Sequence, residues 1–163
     1  MVYLRQYHPD DWSGIAAIHD RARLDELRAS VGVEAFLSLE ATAETEGLFA
    51  GEVWVACDDE AIAGFVAFAD DEVNWFYVSP DYYRQGIGRM LLRKAIARCG
   101  DVVSVSVLAG NGPALSLYLS EGFKLVRIKA GKLSGNEAFP ATGHTLELDK
   151  VMAAYKFTPL ARF

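Results

Sequence analysis

The spacing of apolar positions changes along the chain, and each change marks a new element. Val2 to Tyr7 alternates as a strand does. His8-Pro9-Asp10-Asp11 then reads as a helix start with an acidic cap, followed by Ile15, Ile18 and Ala22 on one face. A second helix is predicted after Ser30, with Val33, Phe36 and Leu37 toward the core. Glu52 to Cys57, Ala61 to Phe68 and Val73 to Val78 read as three successive strands, joined by the acidic turns Asp58-Asp59-Glu60 and Asp70-Asp71-Glu72. Turns this short leave no room for crossovers, so an antiparallel meander is expected.

After Ser79-Pro80 the period becomes helical: Ile87, Met90, Leu91, Leu92, Ala95 and Ile96 fit a helix that runs to Cys99 and stops at Gly100. Val102 to Leu108 is nearly all apolar or small, the composition of a strand covered on both faces. Asn111-Gly112-Pro113 opens another helix, with Asn as cap and Pro in the first turn, ending at Gly122. Phe123 to Ile128 and His144 to Leu148 are the last strands, separated by a loop containing Gly and Pro.

Length and composition narrow the class. The chain has 163 residues, 52% of them hydrophobic and 23% charged, which fits one folded globular domain spanning 1–163 and excludes disordered or fibrous classes. The longest apolar run, Ala61 to Ala69, is too short for a membrane helix, and the N-terminus has no apolar signal core, so a cytoplasmic location is expected. Cys57 and Cys99 form no CxxC unit and have no histidine at ligand spacing, so neither a disulfide framework nor a metal site is expected. A net charge of −6 argues against a nucleic-acid backbone as partner. Against that total stands one cationic stretch: Arg84, Arg89, Arg93, Lys94 and Arg98 occur with no acidic residue between them, as a solvated helix face or an anion site.

Tyr83-Arg84-Gln85-Gly86-Ile87-Gly88 lies at a strand-to-helix turn, where glycines let the backbone approach a ligand and unsatisfied N–H groups attract an anion. A dinucleotide fingerprint fails because position 91 is Leu, and a P-loop fails because Arg89-Met90 follows Gly88. Alone, such a GxG is only a tight turn; the adjacent basic residues favour a phosphate ligand.

Two blocks carry a family resemblance. Val78-Ser79-Pro80-Asp81-Tyr82-Tyr83-Arg84-Gln85-Gly86-Ile87-Gly88-Arg89-Met90-Leu91-Leu92 resembles the strand, pyrophosphate loop and helix of the GNAT superfamily of acetyl-CoA-dependent N-acetyltransferases, and Asn111 through Gly122-Phe123 is similar to its second block, N-x-x-A-x-x-x-Y-x-x-x-G-F. The first loop position, where the family usually has Arg or Gln, is Tyr83. The resemblance covers about residues 2 to 150 and implies an α+β fold: a mixed, mostly antiparallel sheet of about seven strands flanked by about four helices, splayed between strands 4 and 5.

The implied chemistry is direct attack of an amine on the thioester of acetyl-CoA. By the resemblance, Phe76, Tyr77 and Val78 pair with the pantetheine arm, and Arg84, Gln85, Gly86, Ile87, Gly88 and Arg89 hold the pyrophosphate. Tyr118 is the candidate acid toward the departing thiolate, and otherwise a core aromatic; Asn111 caps its helix and lies near the arm. Asn74 stands where many relatives have Glu. Glu72, two residues earlier and on the same face by strand alternation, is the candidate base through a water that Asn74 positions, or else an exposed turn carboxylate.

His8, His19 and His144 are scattered and read as structural or solvated, with His19 the one on a helix that can reach an acceptor pocket. That pocket is expected between the turn around Leu24 to Val33 and the loop Gly131 to Gly143, where Asp25, Glu26, Glu34 and Glu137 would favour a cationic amine and Phe139 gives an apolar wall. The tail from Val151, with Tyr155, Phe157, Leu160 and Phe163, suggests a homodimer. The competing function is a non-catalytic acyl-CoA-binding module.

Overall fold

A computed structural model of the protein describes residues 1–59 and 61–155. Seven strands, β1 (Val2–Gln6), β2 (Glu52–Asp58), β3 (Ala61–Ala69), β4 (Glu72–Val78), β5 (Val102–Leu108), β6 (Lys124–Lys132) and β7 (Pro140–Asp149), form one sheet in the order β1-β2-β3-β4-β5-β7-β6. The meander β2-β3-β4 is antiparallel as expected, and β4 with β5 is the parallel pair. The helices are α1 (Trp12–Arg28), α2 (Leu39–Thr42), α3 (Ile87–Arg98), α4 (Gly112–Ser120) and α5 (Lys150–Tyr155).

The sheet separates two cores. Leu91, Leu92 and Ala95 of α3 pack with Val103, Val105, Phe123 and Leu146 on one face. Ile15 and Ile18 of α1 pack with Leu39, Phe65 and Trp75 on the other. The entry to α1 is locked by Asp11, whose carboxylate accepts both Arg5 guanidinium nitrogens at 2.7 and 2.8 Å and the His8 N–H at 2.7 Å.

Three expectations change. The helix after Ser30 is broken into a 3-10 turn at Val33–Ala35 and the one-turn α2, because Gly32 is left-handed at φ 111° and Asp20 of α1 accepts the Leu39 N–H at 2.8 Å, fixing a new start there. Ala35 and Leu39 are buried, while Val33 and Leu37 are exposed. β5 is covered on one face only: Val103, Val105 and Val107 are buried, whereas Val102 and Ser106 are exposed. β6 and β7 extend well into the predicted loop, leaving Leu133 to Phe139 between them. The tail residues Phe157, Leu160 and Phe163 lie outside the described residues.

β4 is where the site begins. Only Glu72 and Val73 pair with β5, opposite Ser104 and Val105. The junction is pinned by Asp71, which accepts the Ser104 N–H on its carbonyl at 2.9 Å and the Gly100 N–H on its carboxylate at 2.8 Å. On the other edge Ala67 faces Trp75 and Phe68 faces Val73, so Asn74 is an extra residue bulged out of the ladder. The bulge resets the alternation: Val73 joins the core under α3, and Trp75 joins the core under α1. Glu72 and Asn74 are thus not related by the regular two-residue period that the sequence suggested.

Candidate active site

Beyond Val73 the two parallel strands part, and a cavity of about 1420 Å³ opens between them. Its walls come from α1, β4, the turn before α3, the start of α4 and the β6-β7 hairpin. Glu72, Asn74, Phe76, Tyr77 and Val78 all line it.

At one end the chain leaves β4 through Pro80–Tyr82, takes a positive φ at Arg84 (62°) and Gly86 (83°), and enters α3. A Cβ at Gly86 would meet nothing within 4 Å, so glycine serves the left-handed backbone there, and space in front of the helix start is open. The first helical bond runs from the Met90 N–H to the Gly86 carbonyl, and no side chain caps the turn. The N–H groups of Ile87, Gly88 and Arg89 therefore precede the α3 bonding ladder, at the positive end of its dipole. This geometry fits a pyrophosphate. Arg84, Gly86, Ile87, Gly88 and Arg89 line the cavity; Gln85 does not, and its amide donates to the Asp81 carbonyl at 3.4 Å.

The cationic stretch is largely consumed within the fold. Arg89 and Arg93 converge on Glu121, Lys94 lies 4.4 Å over the Trp54 ring, and Arg98 pairs with Glu52. Among the described residues Arg84 is the member of that stretch with neither an ion pair nor a cation–π contact. Tyr83 donates to the Asp25 carboxylate at 3.1 Å, and burial together with Asp25 pushes its phenol up to about 12.

Tyr118 stands on the inner face of α4, 5% exposed, between Phe76 and Phe123. Burial, and then the Glu26 charge, push its phenol well above the ordinary value, so it stays protonated. Its hydroxyl has no hydrogen-bond partner among the described residues, yet no buried polar atom is left unpaired, so the oxygen opens on the cavity. Nearby, Arg23 pairs with Glu26, and the Asn111 amide donates to Glu26 at 3.1 Å while its carbonyl caps α4 by accepting the Ala114 N–H at 3.3 Å. Gly110, at φ 101°, lets this turn press on the end of α1; a Cβ there would lie 2.2 Å from the Ala29 carbonyl oxygen.

The expected acceptor residues divide. Asp25 and Glu26 line the cavity, but both are engaged, Asp25 with Arg28 and Tyr83, Glu26 with Arg23 and Asn111. Glu34, Glu137 and Phe139 do not line it; Phe139 packs instead beside Leu27, Ala35 and Leu133. The two segments expected to frame the pocket do meet, through the Asn136 amide on the Ala35 carbonyl at 2.9 Å. Leu24 to Arg28, however, is the last part of α1 and not a turn.

His19, which the sequence placed within reach of an acceptor pocket, lines the cavity, with its neighbour Asp20 bonded to its ring. Sequence reasoning passed over Asp20 and the bases Arg127, Lys129 and Lys132 of β6, which line the far side. The pairing registers Ser106-Thr145-Arg127 and Leu108-Gly143-Lys129 place these bases on rows of mostly small residues. Nothing in a strand's local sequence tells which face meets a distant helix. Among the described residues no group of His, Cys, Asp or Glu is placed to hold a metal ion, and no helix is long and apolar enough to cross a membrane.

Comparison with known proteins agrees with this architecture. Residues 50–125 match the family model "Acetyltransferase (GNAT) domain". The matched stretch, just under half of the chain, is similar to a GNAT acetyltransferase domain. The chain is 26% identical over 98 residues to the uncharacterized N-acetyltransferase YafP of Escherichia coli, an overlap covering 58% of this chain and 65% of that one. It is 42% identical over 72 residues to the N-alpha-acetyltransferase RimI of Mycobacterium tuberculosis, covering 42% of this chain and 45% of that one. The matches thus span less than two thirds of either relative. In fold it resembles yncA, a putative acetyltransferase from Salmonella typhimurium solved with acetyl-CoA, with a TM-score of 0.68 at 22% identity over 91% of this chain and 94% of that one.

Proposed function

We propose that the protein is an N-acetyltransferase that moves an acetyl group from acetyl-CoA to a primary amine of a small molecule or peptide within a ternary complex, and that it works in the cytoplasm as a single-domain enzyme. The observation that carries this reading is the Tyr118 hydroxyl, protonated and unbonded, opening on the same cleft as the free N–H groups at the start of α3. Acetyl-CoA, when bound, supplies a thioester carbonyl carbon for the amine to attack. Ile87, Gly88 and Arg89 would hold its pyrophosphate by their amides, with Arg84 adding charge, and the β4 backbone beyond Val73, unpaired with β5, would take the pantetheine arm as an added strand. Tyr118 would give its proton to the departing sulfur.

The acceptor is narrowed by charge. Arg127, Lys129 and Lys132 line the cavity with no ion pair among the described residues, while Asp25 and Glu26 are neutralised within the fold. These charges favour an amine that also carries an anionic group, the opposite of the cationic preference suggested by the sequence. A pocket lined by one sign of charge concentrates ligands of the other. The exposed Leu125, Val126 and Ile128 of edge strand β6 favour the homodimer, which light scattering at micromolar concentration tests.

Thiol release from acetyl-CoA, measured with L-amino acids and dipeptides against their C-terminal amides, tests the whole reading. Turnover with the free carboxylates preferred is expected. Preference for the amides would overturn the charge argument, and tight acetyl-CoA binding without turnover on any amine would favour the non-catalytic module.

A further inference from the structure

His19 is 3% exposed, on the inner face of α1, with its ring edge-on to Tyr77 at 4.9 Å and tilted against Trp75 at 5.7 Å. Both aromatic partners belong to β4, just past the bulge where that strand leaves β5. Its Nδ1 lies 2.9 Å from the Asp20 carboxylate, whose same oxygen accepts the Leu39 N–H at 2.8 Å. Asp20 is therefore held in place by α2 through the same oxygen that meets the imidazole.

A carboxylate on Nδ1 fixes the neutral tautomer with the proton on Nδ1 and the lone pair on Nε2. Nε2 has no protein partner among the described residues, and no buried polar atom is left unpaired, so this nitrogen opens on the cavity that His19 lines. A nearly buried base, oriented from behind by an acid and facing a cleft, is an arrangement that general-base catalysis uses.

Resting on the N-acetyltransferase reading, we propose that His19 is the catalytic base for the acceptor amine and that Asp20 is its positioning residue. The Nε2 lone pair takes a proton from the amine nitrogen as that nitrogen bonds to the acetyl carbonyl carbon. The carbon–sulfur bond breaks, and the sulfur keeps the electron pair and takes the Tyr118 proton. His19 then returns its proton to water, and Tyr118 regains one from it. The sum is amine plus thioester giving amide plus thiol, with no other reactant.

The charged and titratable neighbours are consistent with this role. On α1 itself Asp20 favours imidazolium, Arg23 opposes it and Glu26 favours it; from β4, Tyr77 faces the ring as a phenol that burial keeps protonated; α2 contributes the Leu39 backbone. Burial outweighs the rest and lowers the His19 pKa, so the ring is a neutral acceptor at neutral pH. Glu72, at the closed end of the cleft where β4 still pairs with β5, has no such support.

Two measurements decide the matter. Two-bond ¹⁵N–¹H NMR of the wild-type protein at pH 7.5 should show His19 with a bare Nε2 and a protonated Nδ1; a proton on Nε2 would overturn the assignment whatever the acceptor proves to be. Thiol release from acetyl-CoA, with the amino-acid and dipeptide panel, should fall about 100- to 10,000-fold in His19→Gln and less in Asp20→Asn. The acidic limb of the kcat/KM pH profile should vanish in His19→Gln and shift to lower pH in Asp20→Asn, while acetyl-CoA affinity by calorimetry stays within about twofold. Wild-type turnover and pH profile in His19→Gln would also overturn it. Failure of the wild-type protein to bind acetyl-CoA would instead sink the acetyltransferase reading, and the NMR result on His19 would still stand.

Discussion

The Asn111 amide donates to the Glu26 carboxylate at 3.1 Å, joining the cap of α4 to the inner face of α1 across the end of the cleft. One side chain thus closes a helix and ties two walls together.

Replacing it separates these roles. Asn111→Ala removes the cap and leaves Glu26 with Arg23 alone, at an expected cost of about 1 to 2 kcal/mol in urea unfolding. Asn111→Asp keeps a cap but sets carboxylate against carboxylate; it should therefore lower acceptor turnover while recovering part of the stability. Equal stability of the alanine variant and the wild type would show that the link carries little weight.

Tyr118→Phe should retain the packing against Phe76 and Phe123 and lose only the hydroxyl. Turnover is expected to drop about 10- to 1000-fold with acetyl-CoA affinity nearly unchanged. Kinetics and calorimetry on the same preparation check this, and wild-type turnover would reduce Tyr118 to a core aromatic.

The two arginines of the loop should behave differently. Arg84 has no ion pair among the described residues, whereas Arg89 is held by Ser120 and Glu121. Arg84→Ala should weaken acetyl-CoA binding several-fold and reduce its salt dependence. Arg89→Ala should affect binding less and thermal stability more, because Glu121, 9% exposed at its side chain, would keep Arg93 as its sole ion-pair partner. Calorimetry in low and moderate salt, paired with melting curves, separates the two.

Acid should weaken the fold in two stages. Burial lowers the pKa of His19, so as pH falls below about 6.5 the unfolded chain takes up a proton that the folded one refuses, and stability declines until the folded value is passed. The Arg5 hydrogen bonds lower the pKa of Asp11, so its contribution is complete above 3.8 and is lost as pH falls through its folded value. Chemical unfolding from pH 8 to pH 3 should show both. His19→Gln should flatten the first stage, and Asp11→Asn the second.

The fold was legible wherever a residue's partner lies nearby in sequence. Short acidic turns announced the meander, and two motif blocks announced α3 and α4. What escaped depends on distant contacts. Asp20 starts α2 from another helix, so the break after Gly32 has no local signature. Asn74 is bulged by its pairing with β3, which upset the face assigned to Glu72. The loop before α3 and the helix that carries Tyr118 were readable as elements because their signals lie in their own segments, whereas His19 meets Tyr77, Trp75 and the cleft only through the fold.

The parting of β4 and β5 is a wedge with a fixed vertex. Asp71 and the pairs Glu72-Ser104 and Val73-Val105 clamp one end, while the far ends are tied only through other elements. The angle at which the strands part starts from a junction tied by Asp71, a residue that does not itself line the cleft.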